Sequence, residues 1–263
     1  MVLLLFLVLG LAVGSFLNVV IIRLRSAESL GGRSACRMCH AMIHWYDNIP
    51  LLSFLALRGH CRQCQAPISW QYPLVEALTG MLFFLVGRYF FDLEDSKSWL
   101  ETLWLLGIIA LFVVIAVYDL LSMEIVATLL WVVLLWTLLY YGLSFNPNAP
   151  FIWGREMMAI FGALIIGGFF LMLVLVSHES WMGWGDVWLG ALAGLIVGLP
   201  AALFMMTLSF GLGALVGGVL LASGKRGMKS QLPFAPFLVL GTFLTIFLPR
   251  IVPEYTWAFF LFN

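Results

Sequence analysis

Apolar residues run through this chain in long stretches separated by short polar breaks. A helix needs ~20 such residues to cross a hydrocarbon core of ~30 Å. Eight stretches approach that length, at residues 1–22, 73–91, 99–118, 125–143, 155–176, 186–199, 201–222 and 233–249. The sixth is short, and Pro200 separates it from the seventh. One polar interruption, residues 23–72, is long enough to be more than a turn. The pattern predicts an all-α polytopic membrane protein of about eight transmembrane helices. The domains expected are a first transmembrane helix (1–22), a small loop domain (23–72) and a transmembrane core (73–263). No internal repeat or low-complexity segment stands out.

Composition agrees: 63% of residues are hydrophobic and 10% charged, against roughly 25% charged in soluble domains. The net charge is zero, so the placement of the charges says more than their sum. Arg23, Arg25, Arg33, Arg37, Arg58 and Arg62 lie between spans one and two, and Lys225, Arg226 and Lys229 between spans seven and eight. An eight-span count puts both loops on one side. The excess of Lys and Arg in cytoplasmic loops then orients the chain, with both basic loops inside and both termini outside. No basic residue precedes the first apolar run, so that run reads as a membrane span and not a cleaved signal. No nucleotide-binding loop, no Ser/His/Asp arrangement and no nucleic-acid partner are expected.

Two carboxylates stand at the ends of apolar spans, Asp119 in Ala116-Val117-Tyr118-Asp119 and Asp186 in Gly183-Trp184-Gly185-Asp186. Ionisable groups there are costly and functional by default. Two crossings separate them, which returns the chain to the same, cytoplasmic, side. Two nearby carboxyls that share a proton can activate water. The plainer reading is that each Asp caps a helix. Gly183 and Gly185 allow close backbone approach beside Asp186. Glu124 is the nearest rival to Asp119 as acid, and Glu76, at the start of span two, is a second-rank candidate or a helix-start residue. A rival function for paired carboxylates is a proton or cation path in a transporter, or a site on an assembly scaffold. That function predicts carboxylates near mid-bilayer and related halves.

The 23–72 loop contains all four cysteines, as Cys36-Arg37-Met38-Cys39 and Cys61-Arg62-Gln63-Cys64. Two C-x-x-C pairs about twenty residues apart fit a four-thiolate structural zinc site. Disulfides and a redox C-x-x-C compete, the first disfavoured in a reducing cytoplasm and the second lacking a surrounding βαβ pattern. His40, His44 and His60 are alternative ligands. A loop this short has few apolar residues for a core, so a metal is its natural staple.

Smaller signals fill in the packing. Gly14, Ser15 and Asn18 make a small polar strip on span one, read as a helix contact. Gly190, Gly194 and Gly198 make a smooth stripe that would hold the Asp186 helix against a neighbour, and Gly213 and Gly217 repeat it in span seven. Pro233-Phe234-Ala235-Pro236-Phe237 is an irregular entry to span eight at the depth of the two aspartates. Residues 144–154 read as an external turn, His178 and Glu179 as solvated loop residues, and 250–263 as an aromatic interfacial tail.

Taken together, these residues resemble the bacterial type IV prepilin leader peptidases, membrane aspartic proteases of the G-x-G-D kind. The likeness rests on Gly14-Ser15-Phe16-Leu17-Asn18-Val19-Val20-Ile21-Ile22-Arg23-Leu24, the two C-x-x-C pairs, Asp47-Asn48-Ile49-Pro50-Leu51-Leu52-Ser53, Tyr72-Pro73-Leu74-Val75-Glu76, Asp119, Gly183-Trp184-Gly185-Asp186-Val187 and Pro233-Phe234-Ala235-Pro236-Phe237. It implies an aspartic endopeptidase of the bacterial inner membrane with Asp119 and Asp186 as the catalytic pair. Gly183, Gly185, Glu124, Glu76, Pro233 and Pro236 would support that pair. The implied partners are the lipid bilayer and type IV prepilins or pseudopilins, whose basic leader is cut at the cytoplasmic face. Many members then N-methylate the new amino terminus with S-adenosylmethionine, and those carry the tetracysteine domain. Three positions depart from the family pattern. Arg25 stands where Pro is usual, Val126-Ala127 where Pro-Asp is usual, and Trp188 where Lys is usual.

Overall fold

The computed structural model describes residues 1–145, 154–224 and 232–252. The external turn at Asn146-Pro147-Asn148 and Pro150, the basic residues Lys225, Arg226 and Lys229, and the tail from 253 onward lie outside the described residues. The chain forms α1 (Val2–Ser26), α2 (Leu52–Ala56), α3 (Gln71–Tyr89), α4 (Ser96–Ser122), α5 (Ala127–Ser144), α6 (Arg155–Ser177), α7 (Trp184–Val197), α8 (Ala201–Ala222) and α9 (Ala235–Ile251). A short 3-10 turn, Trp45–Asn48, precedes α2. Among the described residues there is no strand, only isolated bridges at Ala35–Met42 and His60–Pro67. Every predicted span coincides with a helix. Five of them, α1, α4, α5, α6 and α8, are long and apolar enough to cross a membrane. α7 and α9 are apolar but shorter, at 14 and 17 residues, and α3 carries Glu76 and Arg88 within its 19 residues.

The helices gather into two compact units, Met1–Val114 and Ile115–Asn263. In the first, α1 packs along α3. The contact is close because it is made of small residues. A side chain at Gly10 would strike the Gly80 main chain at 2.8 Å, and one at Gly14 would strike Glu76 Cα at 2.8 Å. Without a hydrophobic driving force between helices in lipid, such backbone approach supplies the dispersion contacts that hold them. Leu17 and Ile21 of α1 and Val75, Phe83 and Val86 of α3 are buried, and Phe83 lies against Gly10. Asn18 closes its end: its amide donates to the Tyr72 carbonyl at 3.1 Å and accepts from Gln71 Nε2 at 3.3 Å. The polar strip on the first span is thus a helix contact, as expected.

In the second unit α7 is the central element, packed on α5, α6, α8 and α9. Its glycine stripe faces α6. Gly194 meets Gly162 backbone to backbone, and Gly190 seats the Phe170 ring. Leu189 and Ala193 beside them are fully buried. On the other flank Tyr141 of α5 donates to the Leu195 carbonyl at 3.0 Å. Gly213 and Gly217 in α8 sit more loosely: a Cβ there would lie 3.7 Å from Phe237 and 3.5 Å from Leu232.

Candidate active site and metal centre

Asp119 lies in the last turn of α4 and is 5% exposed. An anion at the carboxyl end of its own helix is disfavoured by the helix dipole, so capping of α4 does not account for it. Instead it serves α9. The Ala235 main-chain N–H donates to Asp119 Oδ2 at 3.2 Å. Ala235 is the first residue of α9 and fully buried, and N–H groups of a first helical turn have no partner inside the helix. Pro236, next in line, has no N–H to satisfy. Pro233 and Phe234 form the irregular entry, and rings hold it in place: Phe234 lies 4.9 Å from Phe210 and 5.7 Å from Phe170. The proline-framed motif and the Asp119 motif therefore meet, 116 residues apart in sequence.

Asp186 is the third residue of α7 and only partly buried. Its Oδ2 accepts the Gly183 N–H at 3.2 Å, while its own N–H donates to the Gly183 carbonyl at 3.1 Å. This is the acidic half of a capping box, so Asp186 does start its helix. The bond occupies one carboxylate oxygen. Gly185 links this motif to that of Asp119. A Cβ there would stand 2.8 Å from Ile125 Cβ, in the turn that follows Asp119.

The remaining candidates are placed differently. Glu124 is exposed in the turn between α4 and α5. Glu179 is not merely solvated: it accepts the Trp184 indole N–H at 2.7 Å. Trp188, in the position where the resembled family has Lys, sits beside Trp131 at 6.3 Å. Glu76 belongs to the first unit and is buried at 7% exposure. Its Oε2 accepts the Leu51 N–H at 2.9 Å. Leu51 has φ +61° and ψ −47°, and Leu52 N–H reaches back to the Pro50 carbonyl at 2.6 Å. That is a γ-turn of the rarer, strained hand, held by a buried carboxylate. Sequence reading left Glu76 as a helix-start residue or a site candidate, and the Pro50-Leu51 pair gives no warning of positive φ.

The four cysteine sulfurs lie within 4.8 Å of one another, and the Cys36 and Cys64 sulfurs are 3.8 Å apart. Four sulfurs at ~2.3 Å around a tetrahedral ion stand ~3.8 Å apart, so Cys36, Cys39, Cys61 and Cys64 fit a zinc ion. The histidines are not part of the cluster: His44 stacks on Tyr46 and His60 bonds the Arg58 carbonyl. Main-chain N–H groups of Cys39 and Met38 point at Cys36 and pull its thiol down to about 6, while burial and the neighbouring cysteines push the Cys64 thiol up to about 11, so the four sulfurs do not ionise together without a cation among them.

The two knuckles are copies. In each, the first cysteine N–H bonds an alanine carbonyl five residues on, Cys36 to Ala41 at 2.9 Å and Cys61 to Ala66 at 2.8 Å. In each, the residue after the second cysteine takes positive φ, His40 at +56° and Gln65 at +57°. A shift of 25 residues aligns 36–45 with 61–70, with six of ten positions identical: the two cysteines, Arg, Ala, Ile and Trp. The expectation of no internal repeat is thus corrected. The repeat is too short to show as a periodic pattern, and the matching bonds and φ values of the two loops draw attention to it.

Two more contacts fix the loop. Arg62 makes a bidentate pair with Asp47, with Nε at 2.9 Å from Oδ2, and this pair holds the Asp47 carboxyl below its ordinary range. Arg23 points into the loop and donates to the Ser29, Leu30, Gly31, Gly32 and Arg33 carbonyls. Asn18, Asp47 and Glu76 are therefore all occupied by bonds within the fold.

Comparison with known proteins fits this arrangement. The Bacterial Peptidase A24 N-terminal domain family matches residues 8–90. The chain is similar to the prepilin leader peptidase/N-methyltransferase of Stutzerimonas stutzeri, 33% identical over 91% of this chain and 88% of the relative. It is similar to the protein of that name from Pseudomonas aeruginosa, 32% identical over 90% and 87%, and to that of Klebsiella pneumoniae, 37% identical over 73% and 83%. No solved structure matches the chain. On sequence identity and coverage, this chain belongs to the prepilin leader peptidase/N-methyltransferase family of membrane enzymes.

Proposed function

We propose that this protein cleaves the basic leader from type IV prepilins or pseudopilins at the cytoplasmic face of the bacterial inner membrane, using Asp119 and Asp186. The observation that carries the reading is the seating of the Asp186 motif on the turn after Asp119, Gly185 against Ile125, with Asp119 itself fixed by the Ala235 N–H of α9. That contact sets the end of α4, with its buried carboxylate, beside the start of α7, with its partly buried one. Such a pair holds one proton between them. The ionised member takes a proton from water as it attacks the scissile carbonyl. The protonated member donates to the departing amine. Asp119 Oδ2 and Asp186 Oδ2 each keep one main-chain N–H, so each carboxylate has its other oxygen for this chemistry.

Methyl transfer from S-adenosylmethionine to the freed amine is the second activity proposed. It is supported by the names of the relatives and by the tetracysteine loop. A zinc ion held by Cys36, Cys39, Cys61 and Cys64 would be structural, since four thiolates would leave no open position for catalysis. The test is incubation of purified protein with a prepilin and mass spectrometry of the new N-terminus. A product lacking the leader supports the peptidase reading. An unprocessed substrate under conditions where a relative cleaves it overturns the reading.

A further inference from the structure

Residues 23–72 expose more apolar surface than a water-facing loop tolerates. Trp45 is 78% exposed, Trp70 69%, Leu55 69% and Leu52 64%. These residues are not scattered. Leu52 and Leu55 lie one turn apart on the outward side of α2, whose Ser53 is buried on the opposite side. Ser53 Oγ donates to the Tyr46 carbonyl at 2.8 Å and accepts the Ile49 N–H at 3.0 Å, which fastens α2 to the 3-10 turn bearing Trp45. Trp45 packs edge-on to Tyr46, and Trp70 lies 5.0 Å from Phe54 of α2. Large exposed apolar patches mark interaction sites.

Charge identifies the occupant. The loop holds six arginines, no lysine and two acids, Glu28 and Asp47. Asp47 is neutralised by Arg62, while Arg25, Arg33, Arg37 and Arg58 are exposed. Even with the two negative charges of a zinc tetrathiolate the loop stays cationic. Its ends continue directly into α1 and α3, two packed apolar helices, so it hangs within a few residues of the bilayer surface. Indole rings beside arginines are the residues that settle at an anionic lipid interface.

We infer that the tetracysteine loop lies on the anionic headgroups of the bilayer, with Trp45, Leu52, Leu55 and Trp70 inserted at the acyl boundary. The loop is then a membrane-docked plate and not a free cytoplasmic domain. This does not depend on the peptidase or methyltransferase reading.

The test uses the full chain in nanodiscs of phosphatidylcholine alone or mixed with phosphatidylglycerol. Hydrogen exchange across residues 44–58 is expected to slow several-fold with phosphatidylglycerol. The gain should vanish in the Arg25→Gln, Arg33→Gln, Arg58→Gln variant and shrink at high salt. Lipids brominated near the headgroup should quench a tryptophan component that Trp45→Phe, Trp70→Phe removes. Zinc content checks that both variants fold. Equal exchange in the two lipids, with unchanged quenching in the tryptophan variant, would overturn the inference. So would protection that persists in detergent and falls on dilution, which would point to a second copy of the chain.

Discussion

Gly185 and Ile125 stand so close that a Cβ on the first would lie 2.8 Å from the Cβ of the second, so the aspartate motif of α7 is seated on the turn that follows Asp119. The first prediction follows from this contact. Gly185→Ala should destabilise the second unit by about 1–3 kcal/mol, as overpacking does, and reduce leader cleavage. Adding Ile125→Gly removes the obstructing side chain and should restore part of both. Thermal unfolding and cleavage rates on the single and double variants measure it. No recovery in the double variant would refute this contact as the cause.

Asp119→Asn and Asp186→Asn should each lower cleavage by at least about 10²-fold, the scale of general acid or base catalysis. Both variants should still insert in the membrane. Asparagine keeps an oxygen acceptor for the Ala235 and Gly183 N–H groups, so the capping bonds survive while proton transfer is lost. Glu124→Gln, on an exposed turn residue, should change cleavage little. Near-normal turnover in either aspartate variant would transfer the role elsewhere.

Protein purified without chelator should contain one zinc per chain, bound by Cys36, Cys39, Cys61 and Cys64. Stripping the metal should unfold the loop, because its bridges span only Ala35–Met42 and His60–Pro67. Elemental analysis with proteolysis of the loop before and after chelation checks both. Disulfides within Cys36–Cys39 and Cys61–Cys64 in cells would contradict the thiolate site.

The 23–72 loop should be inaccessible to a membrane-impermeant label applied to intact cells, while labels at positions 147 and 263 should react. The expectation rests on the clustering of arginine in that loop. Labelling of the loop from outside would reverse the orientation and with it the cytoplasmic site of cleavage.

Cleavage and methylation should separate by region. Paired Cys→Ser changes at the zinc site should lower methylation more than cleavage. Asp119→Asn should leave methylation of a pre-cleaved peptide intact. Labelled methyl transfer to a synthetic mature N-terminus, run beside a cleavage assay, distinguishes them. Equal loss of both activities in the cysteine variant would mean that they share one site.

Much of this architecture was legible in the chain because lipid leaves the backbone few options. The apolar runs coincide with helices, and the small residues Gly14, Gly190 and Gly194 announced the close contacts they make. What escaped reading depends on distance or local strain. Nothing near Ala235 says that its N–H reaches Asp119, since that bond closes 116 residues of chain. The positive φ of Leu51 is invisible because leucine ordinarily avoids it. Only the folded unit shows Glu76 taking up the N–H of that turn. Asn18, Asp47 and Glu76 were legible as polar groups, but their partners were not.

The meeting of Gly162 and Gly194 also limits how the two carboxylates can part. Their main chains touch, with no side chain between to yield. Sliding or tilting α7 along α6 would drive backbone into backbone, so these two helices travel as one stiff strut and carry Asp186 with them. On the proposed cleavage, an extended peptide entering between the carboxylates is admitted by displacement on the opposite flank. That flank is the final turn of α4 or the proline-framed entry of α9, where a single 3.2 Å hydrogen bond joins Asp119 to Ala235.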